Sequence, residues 1–266
     1  MSIWRDEAAI DRDLLCVRFL ALVGVSGYPA SIVKRVRLSL YSLIKRLENA
    51  VFWSRPLVSD DLRFWIFDCF EWFDEHFAAP PKPILPTKEF FEAPKGNSVD
   101  TASLVLADVK KQMAYEGPVE IIPLDVLPAE YRIDYQALSA VSGTHQKTDD
   151  ISVIRYDPEL MNRPIQFINL LAHELMHARL DGLEDAVPGG EGAHELATDL
   201  GCIIAGYGVF QLQAADEAGW SGYMTQNSRA FSLAVFLKRR GLKPDSVSPF
   251  LSARCNKLLV KAFKEV

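Results

Sequence analysis

No run of about 18 or more apolar residues occurs in this 266-residue chain, so a membrane-spanning helix is not expected. Positive charge is not in excess either. The 29 Lys and Arg stand against 35 Asp and Glu, a formal net charge of −6. A mildly acidic chain lacks the basic surface that phosphate backbones select, and a nucleic-acid partner is not expected. Cysteine is sparse: Cys16, Cys69, Cys202 and Cys255 are far apart, lie in mostly apolar stretches and form no CxxC pair. They read as buried free thiols in a reducing compartment, which points to the cytoplasm. A secretory leader is not expected. The apolar stretch 14–25 is interrupted by Arg18 and preceded by Asp6, Glu7, Asp11 and Asp13 instead of a positive region. Internal repeats and low-complexity tracts are absent. What remains is an ordinary globular composition, 49% hydrophobic and 24% charged, with material for a sizeable core.

The first 80 residues read as helical. Leu14, Leu15, Phe19, Leu22 and Val25 suit one helix, and Ile32, Val33, Val36, Leu40, Leu43, Ile44 and Leu47 a second. Leu62, Trp65, Ile66, Cys69, Phe70, Trp72 and Phe73 form an aromatic-rich third, with Asp60 as its expected N-cap. Lys34, Arg35, Arg37, Lys45 and Arg46 on the second helix read as a solvated basic face. Pro80, Pro81, Pro83 and Pro86 then fall within seven residues, too dense for a helix or a central strand. This segment is the expected domain boundary, acting as a stiff spacer or a surface wrap. Beyond it, 100–115 reads as a helix, 119–122 and 151–156 as strands, and Pro164 opens a helix that runs to Leu180. Further helices are expected near 194–210, 228–240 and 249–263. His145 falls in a Gly/Thr/Asp loop before the 151–156 strand and is expected to be exposed. Nothing in the pattern ties His76 to any site.

The chemistry concentrates in His173-Glu174-Leu175-Met176-His177, an H-E-x-x-H motif. On a helix, residues four apart lie one above the other, so two imidazoles at that spacing can converge on one zinc at about 2.0–2.1 Å. Glu174 projects beside them, placed to take a proton from a water at the metal without being forced to ligate. Phe167, Ile168, Leu170, Leu171, Leu175 and Met176 supply the buried side of the same helix. A catalytic zinc keeps three protein ligands, so a third must come from elsewhere. Glu195 and Asp199 sit four apart on the next helix, and the 17 residues from 178 to 194 suffice for a loop and an antiparallel return. One carboxylate can bind metal while the other fixes the tautomer of a ligating histidine. Glu195 is assigned as the ligand and Asp199 as the support, with the reverse left open. Tyr223, between Gly222 and Met224, is the candidate for stabilising an oxyanion. His194 adjoins Glu195 but points about 100° around the helix, and reads as a rim or capping residue.

H-E-x-x-H followed by E-x-x-x-D resembles the gluzincin peptidases, the thermolysin-like clan. The resemblance implies Glu174 as general base, His173, His177 and Glu195 as zinc ligands, and Asp199 as support for His173. The short loop between the motifs suits the minimal members of that clan. A looser likeness, through His194-Glu195-x-x-Thr198-Asp199-Leu200, Gly208-Val209-Phe210 and Gly222-Tyr223-Met224, is to a group of uncharacterised bacterial H-E-x-x-H proteins and implies no substrate. Residues 1–95 carry no resemblance.

The expected protein is α+β and predominantly helical. A helical N-terminal subdomain spans 1–79, a Pro-rich linker 80–95 and a minimal gluzincin-like zinc domain 96–266. The expected activity is zinc-dependent hydrolysis of a peptide or protein substrate, with Glu174 and Tyr223 as catalytic residues. The 151–156 strand is expected at the sheet edge, where an extended peptide could add to it. Two other functions fit the motif less fully. One is a signal-controlled protease with a single cognate target. The other is a non-enzymatic zinc module, against which the presence of Glu174 speaks.

Overall fold

Ser59 starts the first described helix, one residue before the expected cap. Its hydroxyl accepts the Leu62 N–H, and Asp60 and Asp61 fall in the first turn, where carboxylates complement the helix dipole. This helix, α1 (Asp60–His76), buries Ile66, Cys69, Phe70 and Phe73, a stripe at helical spacing. The computed structural model describes residues 56–124, 143–148, 151–219 and 222–266. The helices expected at 14–25 and 32–47, and Cys16, lie outside the described residues. The architecture is α+β and predominantly helical, as expected.

Leu57–Val266 form one compact unit. The aromatic helix α1 and the Pro-rich segment therefore belong to it, and the unit begins at Leu57 rather than after residue 79. The reason is packing. Four residues of α1 are buried in the shared core, and Ile84 of the Pro-rich segment is buried too. The Ile84 N–H donates to Gly206 O (2.9 Å), and Arg240 Nε donates to Pro80 O (2.9 Å). Of the two roles expected for the prolines, spacer or wrap, this segment takes the wrap.

Helix α2 (Val99–Gln112), capped by Ser98, packs beside a three-stranded sheet. The strands are β1 (Val119–Pro123), β2 (Gly143–Thr148) and β3 (Ile151–Tyr156), in the order β1-β3-β2. Strand β3 pairs parallel with β1, Ile121 opposite Ile154, and antiparallel with β2, Gln146 opposite Val153. The expectation of β3 as an edge strand is thus corrected: it is central. Segment 143–148, read as a loop around His145, is a strand and supplies the second neighbour. Ser152, Val153, Ile154 and Tyr156 are all buried, and Ile151 is exposed, so β3 is not a one-face alternating strand.

Helix α3 (Pro164–Leu180) lies against β2 and β3, with Pro164 in its first turn. It is buried on most of its circumference, which anchors it in the core. After a loop, α4 (His194–Cys202) returns against α3 and α1. The helix expected to continue to residue 210 breaks at a π turn, Ile203–Tyr207, where Gly206 takes φ 96°. The chain resumes as α5 (Gly208–Glu217), then α6 (Gln226–Arg239) and α7 (Ala253–Glu265), the last two capped by Thr225 and Ser252. Cys69, Cys202 and Cys255 are buried free thiols. Burial and nearby Asp68 push the Cys69 thiol up to about 12. Among the described residues no helix is long and apolar enough to cross a membrane.

Close approach of three helices fixes how near α4 comes to α3. A Cβ on Gly201 would lie 2.7 Å from Phe73 Cζ of α1 and 3.1 Å from Met176 Sδ of α3. Gly201→Ala should therefore overpack this junction and cost about 1–3 kcal/mol. A lowered denaturant midpoint with an unchanged slope is the expected reading, and an unchanged midpoint would mean the junction is slack.

Candidate metal centre

The i, i+4 spacing on α3 brings His173 and His177 together, their ring centroids 4.7 Å apart and their planes near perpendicular. Their Nε2 atoms stand 3.1 Å apart. The first turn of α4 carries Glu195, whose Oε2 lies 3.4 Å from each Nε2. Ligand atoms about 2.0–2.1 Å from one tetrahedral zinc stand about 3.3–3.4 Å from one another. The three donor atoms describe a triangle of that size. Among the described residues, His173, His177 and Glu195 are the one group of three or more metal-ligating side chains close enough to hold an ion.

The outer ring nitrogens explain why lone pairs point inward. His173 Nδ1 lies 3.0 Å from Asp199 Oδ1. A carboxylate can only accept, so Nδ1 carries the proton and Nε2 offers its lone pair. His177 Nδ1 lies 2.9 Å from His194 Nε2, with Thr198 Oγ1 at 3.5 Å. With Nδ1 of His177 donating to His194, its Nε2 also presents a lone pair. Glu195 Oε2 completes the set as a buried oxygen without a hydrogen-bond partner. Two lone pairs and a carboxylate oxygen repel at 3.1–3.4 Å unless something positive sits among them, so a cation fits this donor set. The site is not sealed, because the Glu195 side chain is 40% exposed.

The electrostatics agree. Burial disfavours the imidazolium of His173, but the carboxylates of Asp199 and Glu195, with Glu174 beyond them, lift its pKa to about 10. The His173 and His177 rings facing its carboxylate hold Glu195 well below the usual carboxylate range. Burial would raise Asp199, yet His173, Arg229 and the Tyr223 N–H bring it down to about 2. For His194, burial and the neighbouring His177 lower the pKa, which favours a neutral ring able to accept. The convergent groups that attract a proton attract a metal ion for the same reason.

The remaining candidates fall as follows. Glu174 is buried, 6% exposed, and its charge reaches both His173 and Tyr223. Tyr223 stands at the rim, 60% exposed, its ring stacked at 6.5 Å on His173. The Glu195 carboxylate, then burial, raise its phenol pKa, which keeps the hydroxyl a donor. Asp199 accepts from His173 rather than facing the triangle's centre, in keeping with a supporting role. His194, read from sequence as a rim or capping residue, is half-buried and pairs with His177. Gln211 and Arg229, both buried and marked by no motif in the sequence, both contact Asp199. His145 lies in β2, its backbone opposite Ile154. His76 stacks on Trp72 and bonds to Trp72 O. No family model, curated protein or solved structure matches the chain.

The geometry ranks the two carboxylates. Glu195→Ala removes a corner of the triangle, whereas Asp199→Asn leaves all three corners and disturbs only the tautomer of His173. Zinc affinity by chelator competition should fall about 10–100-fold in Asp199→Asn, and further in Glu195→Ala. The reverse order would exchange their roles.

Proposed function

We propose that the chain is a zinc-dependent metallopeptidase of gluzincin type, with His173, His177 and Glu195 as the ligands. The observation that carries this reading is the triangle of donor atoms with edges of 3.1 and 3.4 Å, sized for a tetrahedral ion. Two imidazoles and one carboxylate suit zinc among the common divalent ions, and three protein ligands rather than four suit a catalytic site. Zinc, when bound, supplies a Lewis acid that polarises a carbonyl and acidifies water.

The chain's own residues do the rest. Glu174, adjacent to the first ligand and buried, accepts a proton from the attacking water and returns it to the leaving amine. Tyr223 donates its hydroxyl to the substrate carbonyl oxygen as negative charge builds there. Asp199 and His194 hold the two ligating rings in their working tautomers. Strand β2, at one edge of the sheet among the described residues and against α3, is the element to which an extended peptide would add. The buried free thiols suit work in the cytoplasm.

Digestion of a peptide library by zinc-loaded full-length protein tests the reading. Cleavage that stops on chelation and returns with zinc is the expected result. Intact peptides at every zinc concentration would overturn it.

A further inference from the structure

Asp199 does more than hold His173. Its two oxygens divide their partners. Oδ1 accepts from His173 Nδ1 (3.0 Å) and Gln211 Nε2 (3.4 Å). Oδ2 accepts from the backbone N–H groups of Tyr223 (2.9 Å) and Met224 (3.2 Å) and from Arg229 Nη2 (3.2 Å). One carboxylate therefore grips a ligand on one side and the loop bearing the rim residue on the other. Arg229, on α6, is 2% exposed and is fully engaged in this junction. Its Nη1 donates to Met224 O (2.6 Å) and its Nε to Gln211 Oε1 (3.2 Å). Each of these acceptors either touches Asp199 or belongs to the loop that Asp199 holds.

Such a fork is a poor choice for stability alone, since a buried ion pair gains little over apolar packing. It is a good choice for fixing orientation, because a planar guanidinium sets three directions at once. The loop is shaped to meet it. Gly222 takes φ 86°, and a Cβ there would lie 2.2 Å from Arg229 Nη2 and 3.0 Å from Asp199 Oδ2. Only a glycine lets the backbone pass so close to the guanidinium.

We propose that Arg229 is a positioning residue that, through Asp199, locks the loop carrying Tyr223 to the ligand His173, so that rim and metal centre keep one geometry. This deepens the reading of His173 as a metal ligand and rests on it for its metal-linked half.

Hydrogen exchange and zinc affinity, both on the full chain, test it. In Arg229→Lys, which keeps the charge but loses the fork, the Tyr223 and Met224 amides should exchange at least about tenfold faster than in wild type. Zinc affinity by chelator competition should fall about 10–100-fold, while the amides of α7 keep their wild-type rates. Gly222→Ala, at an exposed position, should reproduce this pattern and decides the matter if Arg229→Lys does not fold. Wild-type exchange at Tyr223 and Met224 in both variants would overturn the proposal. So would faster exchange throughout 57–266, which would make Arg229 a general support of the fold, or released amides with unchanged zinc affinity. Wild-type protein that binds no zinc would sink the peptidase reading instead, and the amide comparison in metal-free protein then judges Arg229 alone.

Discussion

Replacing either His173 or His177 by alanine is expected to take zinc from one ion per chain to none detectable. Three side chains that could hold an ion converge here, and the triangle cannot close with two. Structural zinc sites with four ligands bind with on the order of 10–16 kcal/mol, so each ligand carries roughly 3–4 kcal/mol. Losing one should cost about two to three orders of magnitude in affinity. Fold should survive, because α3 is anchored by Phe167, Ile168, Leu171 and Leu175, all buried, and not by the imidazoles, which face the open site. Elemental analysis after dialysis, with circular dichroism as the control for fold, reads both outcomes. Wild-type protein without zinc after expression in zinc-replete medium would refute the central claim, and full zinc content in either variant would displace that residue from the ligand set.

The site was legible in the sequence to the extent that it is local. His173 and His177 are one helical turn apart, as are Glu195 and Asp199, and a helix makes neighbours of such pairs whatever the rest of the fold does. The apolar residues around both pairs marked the faces that turn inward. The pairing of His194 with His177 is not legible in the sequence, because a single helix cannot show what crosses from the other. Its ring lies off the direction of Glu195, yet His177 reaches it from α3 at 2.9 Å. Arg229 and Gln211 gave no signal at all. An arginine in one helix and a glutamine in another show nothing of their role until three elements bring them onto one carboxylate.

The sheet shows the same boundary between local and long-range information. Residues 151–156 carry the strand pattern, but a pattern records which side chains are buried and not which neighbours pair. Segment 143–148, Gly-Thr-His-Gln-Lys-Thr, has no apolar residue to announce a strand, and backbone pairing with β3 makes it one. The prolines at 80–86 likewise marked a break in regular structure correctly and a domain boundary incorrectly. Lacking N–H groups to satisfy, a Pro-rich stretch can lie along a packed surface, and here Ile84 pins it there.

Glu174→Gln is expected to keep the metal and lose the chemistry. The substitution preserves shape and leaves His173, His177 and Glu195 untouched, so zinc content should match wild type. What it removes is the ability to take a proton, since a neutral amide cannot serve as a base. General-base catalysis contributes about 10²–10⁴-fold, and cleavage of a peptide substrate should fall by that factor or more in kcat. KM should change little, because Glu174 is buried beside the ligands and the peptide would be held by the β2 edge and the rim. A pH profile separates this from a distorted site. The acidic limb that reports the base should vanish from the residual activity, whereas a merely misplaced ligand would lower the whole profile without changing its shape. Retained activity at wild-type level would remove Glu174 from the mechanism. Loss of zinc from Glu174→Gln would make the residue a ligand, and the arrangement of lone pairs around His173 and His177 would then need a fourth corner.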